Sequence, residues 1–266
     1  MQVLSGVVKM TYETIMYEKE DGVGIIKLNR PEQRNALNLT LVKEMTKLID
    51  QIAGDEKTRV VIITGGQKTF SAGADLKELY TTPLPMFLDK IRILFKKLEN
   101  LDRPVVAAIN GHCLAGGCEM ALACDLRIAA EDAIFGLPEI RFGALAIAGA
   151  TQRLPRIVGM GKAKEMHYTG NTINAQEAYR IGLVNRIVPP TSVIDETKQL
   201  ANVLVQRSRR ALKIAKFLIN TGSRIDLNAA LEFEAEVSQN LFVPEEMIEE
   251  KTKAAKREDV YRKIFG

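Results

Sequence analysis

The sequence predicts an α/β fold, and three observations carry that reading. Short apolar runs of strand length stand at 59–64 (RVVIIT), 104–109 (PVVAAI) and 125–130 (DLRIAA), the first two rich in β-branched residues. Between them lie stretches whose apolar residues recur at spacings of three and four, joined by short connections, as alternating strands and helices require. After about Ser192 the strand pattern stops, and segments 192–206, 209–221, 226–240 and 244–263 all read as helices. The units are uneven, strand–strand–helix rather than strand–helix, which fits a wound spiral better than a barrel.

The elements follow in order. Between Tyr12 and Leu28 two apolar runs, TIMYE and VGIIKL, flank EDG and predict a hairpin. Asn38 is placed to cap a helix whose buried face is Leu41, Val42, Met45, Leu48, Ile49 and Ile52, with Lys43, Lys47, Asp50 and Gln51 on the other side. Gly54-Asp55 ends it, and the strand at 59–64 follows. A second unit comprises the loop GGQKTFSAGAD, a helix from about Pro85 to Leu101 and the strand at 104–109. A third repeats the order, with the loop NGHCLAGG, the short helix GCEMALAC and the strands DLRIAA and AIFG. The expected division is a spiral body over 1–191 and a helical region over 192–266, with no flexible linker between them.

Composition narrows the function classes. At 46% hydrophobic and 26% charged, the 266 residues suit a globular protein and exclude disorder or a fibrous rod. Charges interrupt every apolar run before the length of a membrane span, and the N-terminus lacks the pattern of a targeting segment, so a cytoplasmic protein is expected. Thirty-seven Lys and Arg against 33 Asp and Glu give +4, suited to an anionic small ligand and short of a nucleic-acid footprint. Cys113, Cys118 and Cys124 form no CxxC pair and have only His112 nearby, so they read as small buried hydrophobes, with neither metal nor disulfides expected.

Three loops, 28–38 (LNRPEQRNALN), 70–79 (FSAGADLKEL) and 110–125 (NGHCLAGGCEMALACD), are rich in Gly and Ala, which lets a ligand approach bare backbone N–H groups. In the third, Gly116 and Gly117 open a helix, where free N–H groups and the helix dipole favour developing negative charge. Glu119 lies one turn on, on the same face as Gly116. Alone it reads equally as a residue that complements the dipole. Glu139 follows Pro138 in FGLPEI, and alone reads as a solvated or paired structural carboxylate.

Taken in register, LNRPEQRNALN, FSAGADLKE, NGHCLAGGCEMALACD, FGLPEI and TQRLPRIVG resemble the enoyl-CoA hydratase, or crotonase, family. The resemblance runs from about Tyr12 to Pro189. It implies a right-handed spiral of strand–strand–helix units with a C-terminal helical appendage, and assembly into trimers or hexamers. It also implies chemistry through the enolate of a coenzyme A thioester, with no cofactor beyond the coenzyme A of the substrate. The thioester oxygen would be gripped by the N–H groups of Ala74 and Gly116, donors of a kind worth about 3–4 kcal/mol each. In the hydratase branch Glu119 would act as base on a water adding to the β-carbon, and Glu139 would protonate the α-carbon. Two carboxylates around one water would share a proton. For the coenzyme, the resemblance implies Arg34 and Lys77 near phosphates, backbone at Ala36 and Ala72 against pantetheine and adenine, and Asp75 and Leu76 in the same segment.

The pattern departs from the family in two places. Ala115-Gly116-Gly117 stands where three glycines are usual, and PEIRFGALAIAGATQRL replaces PEIxxGxxPGAGGTQRL. Ala146 thus stands for proline, and Ile147 and Ala150 for glycines, so Ile147 is expected at the acyl pocket, where it reshapes the pocket and leaves the acyl group and the reaction open. An isomerase, hydrolase or decarboxylase of the same fold remains open. A different class, an RNA-binding relative, would need a comb of lysines, and helix 39–53 offers only Lys43 and Lys47. The basic run Arg207, Arg209, Arg210, Lys213 and Lys216 reads adequately as a solvated face.

Overall fold

The computed structural model describes residues 2–4 and 7–239. β1 (Gln2–Leu4), β2 (Val7–Thr11), β3 (Ile15–Glu20) and β4 (Val23–Leu28) form an antiparallel meander. Glu20 pairs with Val23, which leaves Asp21 and Gly22 as a two-residue turn, both at positive φ (48° and 82°) as the hairpin requires. β1 and β2 carry no distinct alternation and escaped the sequence reading. In α1 (Leu39–Gly54) the Asn38 carboxamide oxygen accepts the Leu41 N–H at 2.9 Å, and the six residues expected inside are all buried.

Three turns of the spiral follow. The first is β5 (Val60–Thr64), β6 (Thr69–Ser71), α2 (Leu76–Thr81) and α3 (Leu84–Asn100). The second is β7 (Val105–Ile109), β8 (His112–Leu114) and α4 (Gly116–Leu122). The third is β9 (Leu126–Ala130), β10 (Ile134–Gly136), a 3-10 turn over Pro138–Phe142, α5 (Ala150–Val158) and α6 (Met160–Thr169). The first strands of the turns, β5, β7 and β9, pair in parallel; the second strands, β6, β8 and β10, pair in parallel in a separate sheet. β11 (Ile173–Asn174) joins the second sheet; α7 (Ala175–Arg180) then leads to β12 (Arg186–Val188), parallel to β9 in the first. The sheets run β1-β2-β3-β4-β5-β7-β9-β12 and β11-β10-β8-β6. β5 and β7 are buried along their whole length, which is why they read as unbroken apolar runs. The three cysteines are buried in this core.

The helical region begins where the composition shifts. α8 (Val193–Val205) packs across β4, β5, β7 and β9 and buries Val193, Thr197 and Ala201. One compact unit runs to Lys213. α9 (Arg209–Gly222) bridges the division. In the second unit, α10 (Leu227–Gln239) brings Phe233 edge-on to Phe217, ring centres 5.5 Å apart. The helix expected over 244–263, with Leu241 and Phe242, lies outside the described residues. Among the described residues no helix is long and apolar enough to cross a membrane.

Candidate active site

Three loops converge at the open end of β4, β6 and β8. The segment after β4 is zipped to the segment after β6: the Ala72 N–H donates to the Arg34 carbonyl (3.0 Å), Leu37 to Gly73 (2.7 Å) and Asp75 to Leu37 (2.9 Å). Two buried side chains lock the pair. The Ser71 hydroxyl donates to the Asn35 carbonyl (2.8 Å), and the Asn35 amide donates to the Thr69 carbonyl (3.1 Å) while its oxygen accepts the Arg30 N–H (2.9 Å). In the parallel bridge between Leu37 and Ala74, the N–H of Ala74 falls between the two bonds and faces away from Leu37.

There it meets the start of α4. A Cβ at Gly116 would lie 3.4 Å from the Ala74 nitrogen. A Cβ at Gly73 would lie 2.9 Å from the Gly116 nitrogen and 2.5 Å from the Ala115 Cβ, so only glycine at 73 lets the loops approach this closely. The N–H groups of Ala74 and Gly116 are thus brought side by side, and neither is taken up by another group among the described residues. Ala115, which turns the chain from β8 into α4, sits at φ 51°, ψ −130°, a conformation costing roughly 1–3 kcal/mol outside glycine. Its N–H, bonded to the Gly136 carbonyl at 2.9 Å, ties that turn to β10.

Glu119 is 3% exposed, one turn into α4. One carboxylate oxygen, Oε1, accepts the N–H of Ala148 (2.7 Å) and of Ala150 (3.0 Å). Burial pushes its pKa up to about 7; the two N–H groups and Arg153 oppose that rise, and the charge of Glu139 adds to it. Glu139, in the 3-10 turn after β10, is half-buried and also raised by burial, and its Oε2 is buried without a hydrogen-bond partner among the described residues. The two acids therefore face one another in unlike settings. Burial raises both carboxyls; at Glu119 two N–H donors oppose it, and at Glu139 its own backbone N–H does.

The remaining expected residues distribute as follows. Arg34 and Lys77 are exposed, with no carboxylate partner among the described residues; Ala36 and Ala72 are half-buried beside them, and Leu76 is exposed. Asp75 is occupied structurally: it caps α2 through the Lys77 N–H (3.0 Å) and pairs with Arg30 at 2.9 Å. Ala146 and Ala150 turn their methyls into the core, and Ile147 is half-buried, its carbonyl accepting from Arg92 at 3.1 Å. Ser71 and Asn35 lie within the recognised motifs but read there as loop residues. Arg92 and Glu99, on α3, carry no motif, and only the fold reveals their proximity to the 147–153 segment.

Comparisons with known proteins agree with this architecture. Residues 18–262 match the pattern of the enoyl-CoA hydratase/isomerase family. A short-chain-enoyl-CoA hydratase of Clostridium acetobutylicum is 43% identical over 241 residues, covering 89% of this chain and 92% of that protein. A crotonyl-CoA hydratase of Syntrophomonas wolfei is 40% identical over 231 residues, covering 85% and 89%. Among solved structures, an enoyl-CoA hydratase from Bacillus anthracis superposes with a TM-score of 0.85 at 38% identity, covering 95% of this chain and 97% of that one. One from Geobacillus kaustophilus gives 0.89 at 35%, covering 94% and 97%. With the family pattern spanning nearly all its length and the strand–strand–helix spiral in place, this chain belongs to the enoyl-CoA hydratase/isomerase, or crotonase, family.

Proposed function

We propose that the protein is a hydro-lyase that adds water across the 2,3 double bond of an enoyl-CoA thioester, or removes it. One observation carries the reading: Glu119, with two N–H groups on one oxygen, faces Glu139, whose buried Oε2 has no donor. That asymmetry suits one base and one acid sharing a single proton.

The thioester oxygen sits between the N–H groups of Ala74 and Gly116, which are preorganised for the enolate because their loops are already held in place. Glu119 takes a proton from water as the water oxygen bonds to C3; the C2–C3 π pair becomes the C1–C2 double bond and the carbonyl π pair moves onto the thioester oxygen, forming the enolate. The enolate then collapses as Glu139 gives its proton to C2. One water is consumed, and Glu119 ends with the proton that Glu139 has lost. Arg34 and Lys77, exposed and without a carboxylate partner among the described residues, receive the coenzyme phosphates, while Ala36 and Ala72 lie along the pantetheine and adenine. Asp75 and Leu76 flank that channel, Asp75 by keeping α2 and Arg30 in position. No cofactor beyond the substrate's own coenzyme A enters the scheme.

The names of the two bacterial relatives favour short acyl groups, and the half-buried Ile147 beside the Glu119 cradle is consistent with a pocket narrowed there. Assembly into trimers or hexamers in the cytoplasm completes the reading. It is supported by the exposed apolar side chains Phe217, Ile219, Leu227 and Leu231 on α9 and after it. The direct test is a panel of linear and cyclic enoyl-CoA thioesters, followed by loss of the conjugated absorbance. Hydration of at least one member is expected. A shifted double bond without water uptake would assign an isomerase instead, and release of free coenzyme A a hydrolase.

A further inference from the structure

The Glu119 cradle is supported from behind by a helix outside every recognised motif. α3 presents Arg92 and Glu99, two turns apart and so on one face, toward the 147–153 segment. The Arg92 Nε donates to the carbonyl of Ile147 at 3.1 Å, and its Nη1 pairs with Asp89 at 3.2 Å, one turn back. Glu99 accepts from Arg153 at 3.1 Å, and the Nη1 of Arg153 reaches the carbonyl of Ala148 at 3.2 Å.

The Ile147 carbonyl and the Ala148 N–H belong to one peptide group, which is planar and trans, with its oxygen and hydrogen on opposite sides. Arg92 therefore holds one end of a rigid plate whose other end donates to Glu119 Oε1 at 2.7 Å. We propose that Arg92 is a positioning residue: by fixing the plane of the Ile147–Ala148 peptide, it aims the Ala148 N–H at Glu119 and keeps that carboxylate in place for proton transfer. The proposal rests on Glu119 being the base of the hydration reaction.

The groups facing Glu119 define the expected readout. Glu139 faces it from the 3-10 turn and favours its protonated form; Arg153 from α5 and the N–H groups of Ala148 and Ala150 favour the ionised form. If the Ala148 N–H loses its aim, one contribution to the ionised form weakens and the base titrates higher. Arg92→Ala should then lower kcat by about 10- to 100-fold, the scale of a small misplacement of a catalytic group. It should leave the KM for the thioester near the native value and move the acid limb of the kcat/KM profile to higher pH. Arg92→Lys, which keeps a cationic donor, should restore part of both effects and serves as the test if the alanine variant does not fold. Asp89→Ala, which removes only the exposed ion pair, should behave as wild type. An unmoved acid limb in both Arg92 variants, even with a lower melting temperature, would overturn the proposal and leave Arg92 as a packing contact. Absence of hydration by the wild-type protein would instead overturn the hydratase reading itself.

Discussion

Replacing Glu119 by Gln should stabilise the protein while abolishing its activity, and the gain should depend on pH in a defined way. Glu119 is 3% exposed and its pKa stands at about 7 against an ordinary 4.5, mainly through burial. A carboxyl raised in the folded state binds its proton more tightly there than in the unfolded chain. Its contribution to stability is fully present below about 4.5 and is lost as the pH rises through about 7. At about 1.4 kcal/mol per pH unit, the ionised native side chain costs about 3 kcal/mol above that range, most of it developing between pH 5 and pH 8. Glutamine keeps an oxygen for the N–H groups of Ala148 and Ala150, carries no charge, and can offer its amide to the unpartnered oxygen of Glu139. Denaturation at equal protomer concentration should therefore show the variant ahead of wild type by about 2–3 kcal/mol at pH 8 and nearly level with it at pH 5. Turnover should fall by at least about 10²-fold at both pH values. A stability difference that is the same at pH 5 and pH 8 would refute the reasoning, because Glu119 would then not titrate abnormally in the native state.

Three further outcomes are expected. Glu139→Gln should cut turnover by at least about 10²-fold, and the double variant with Glu119→Gln should be far less than multiplicatively worse in steady-state assays, since the two acids act as a unit. Gly117→Ala should destabilise the fold by about 1–3 kcal/mol or prevent folding, because the new Cβ would stand 2.4 Å from the backbone oxygen of Ser71; urea titration checks it. Ile147→Gly should broaden acyl tolerance, with specificity ratios among short, long and cyclic enoyl thioesters changing by about 10- to 200-fold while affinity for free coenzyme A stays constant. An unchanged ranking would place the Ile147 side chain outside the acyl pocket.

Local pattern predicted the elements wherever periodicity was strong. The α1 face, the Asn38 cap, the Asp-Gly hairpin and the buried strands β5 and β7 all follow from side-chain spacing and turn chemistry acting within a dozen residues. β6, β8 and β11 have two or three residues each, too few for any period, and were legible only as parts of loops. The sequence could not show that α8 covers the sheet, because an amphipathic helix looks the same whether its apolar face meets its own body or another surface.

The candidate site divides along the same line. The sequence by itself determined the residue types at each position: bare backbone at 73–74 and 116–117, carboxylates at 119 and 139, and a family pattern that joins them. Tertiary structure decided what those groups do to one another, since the contacts that matter span separations no local pattern encodes. Ala148 and Ala150 reach Glu119 from about thirty residues away, and Arg92 reaches Ile147 across 55. Two carboxylates in a sequence are only two charges. Burial, two N–H groups on one of them and no donor for the Oε2 of the other make them unequal, and that inequality exists only once the third turn of the spiral has closed over α4.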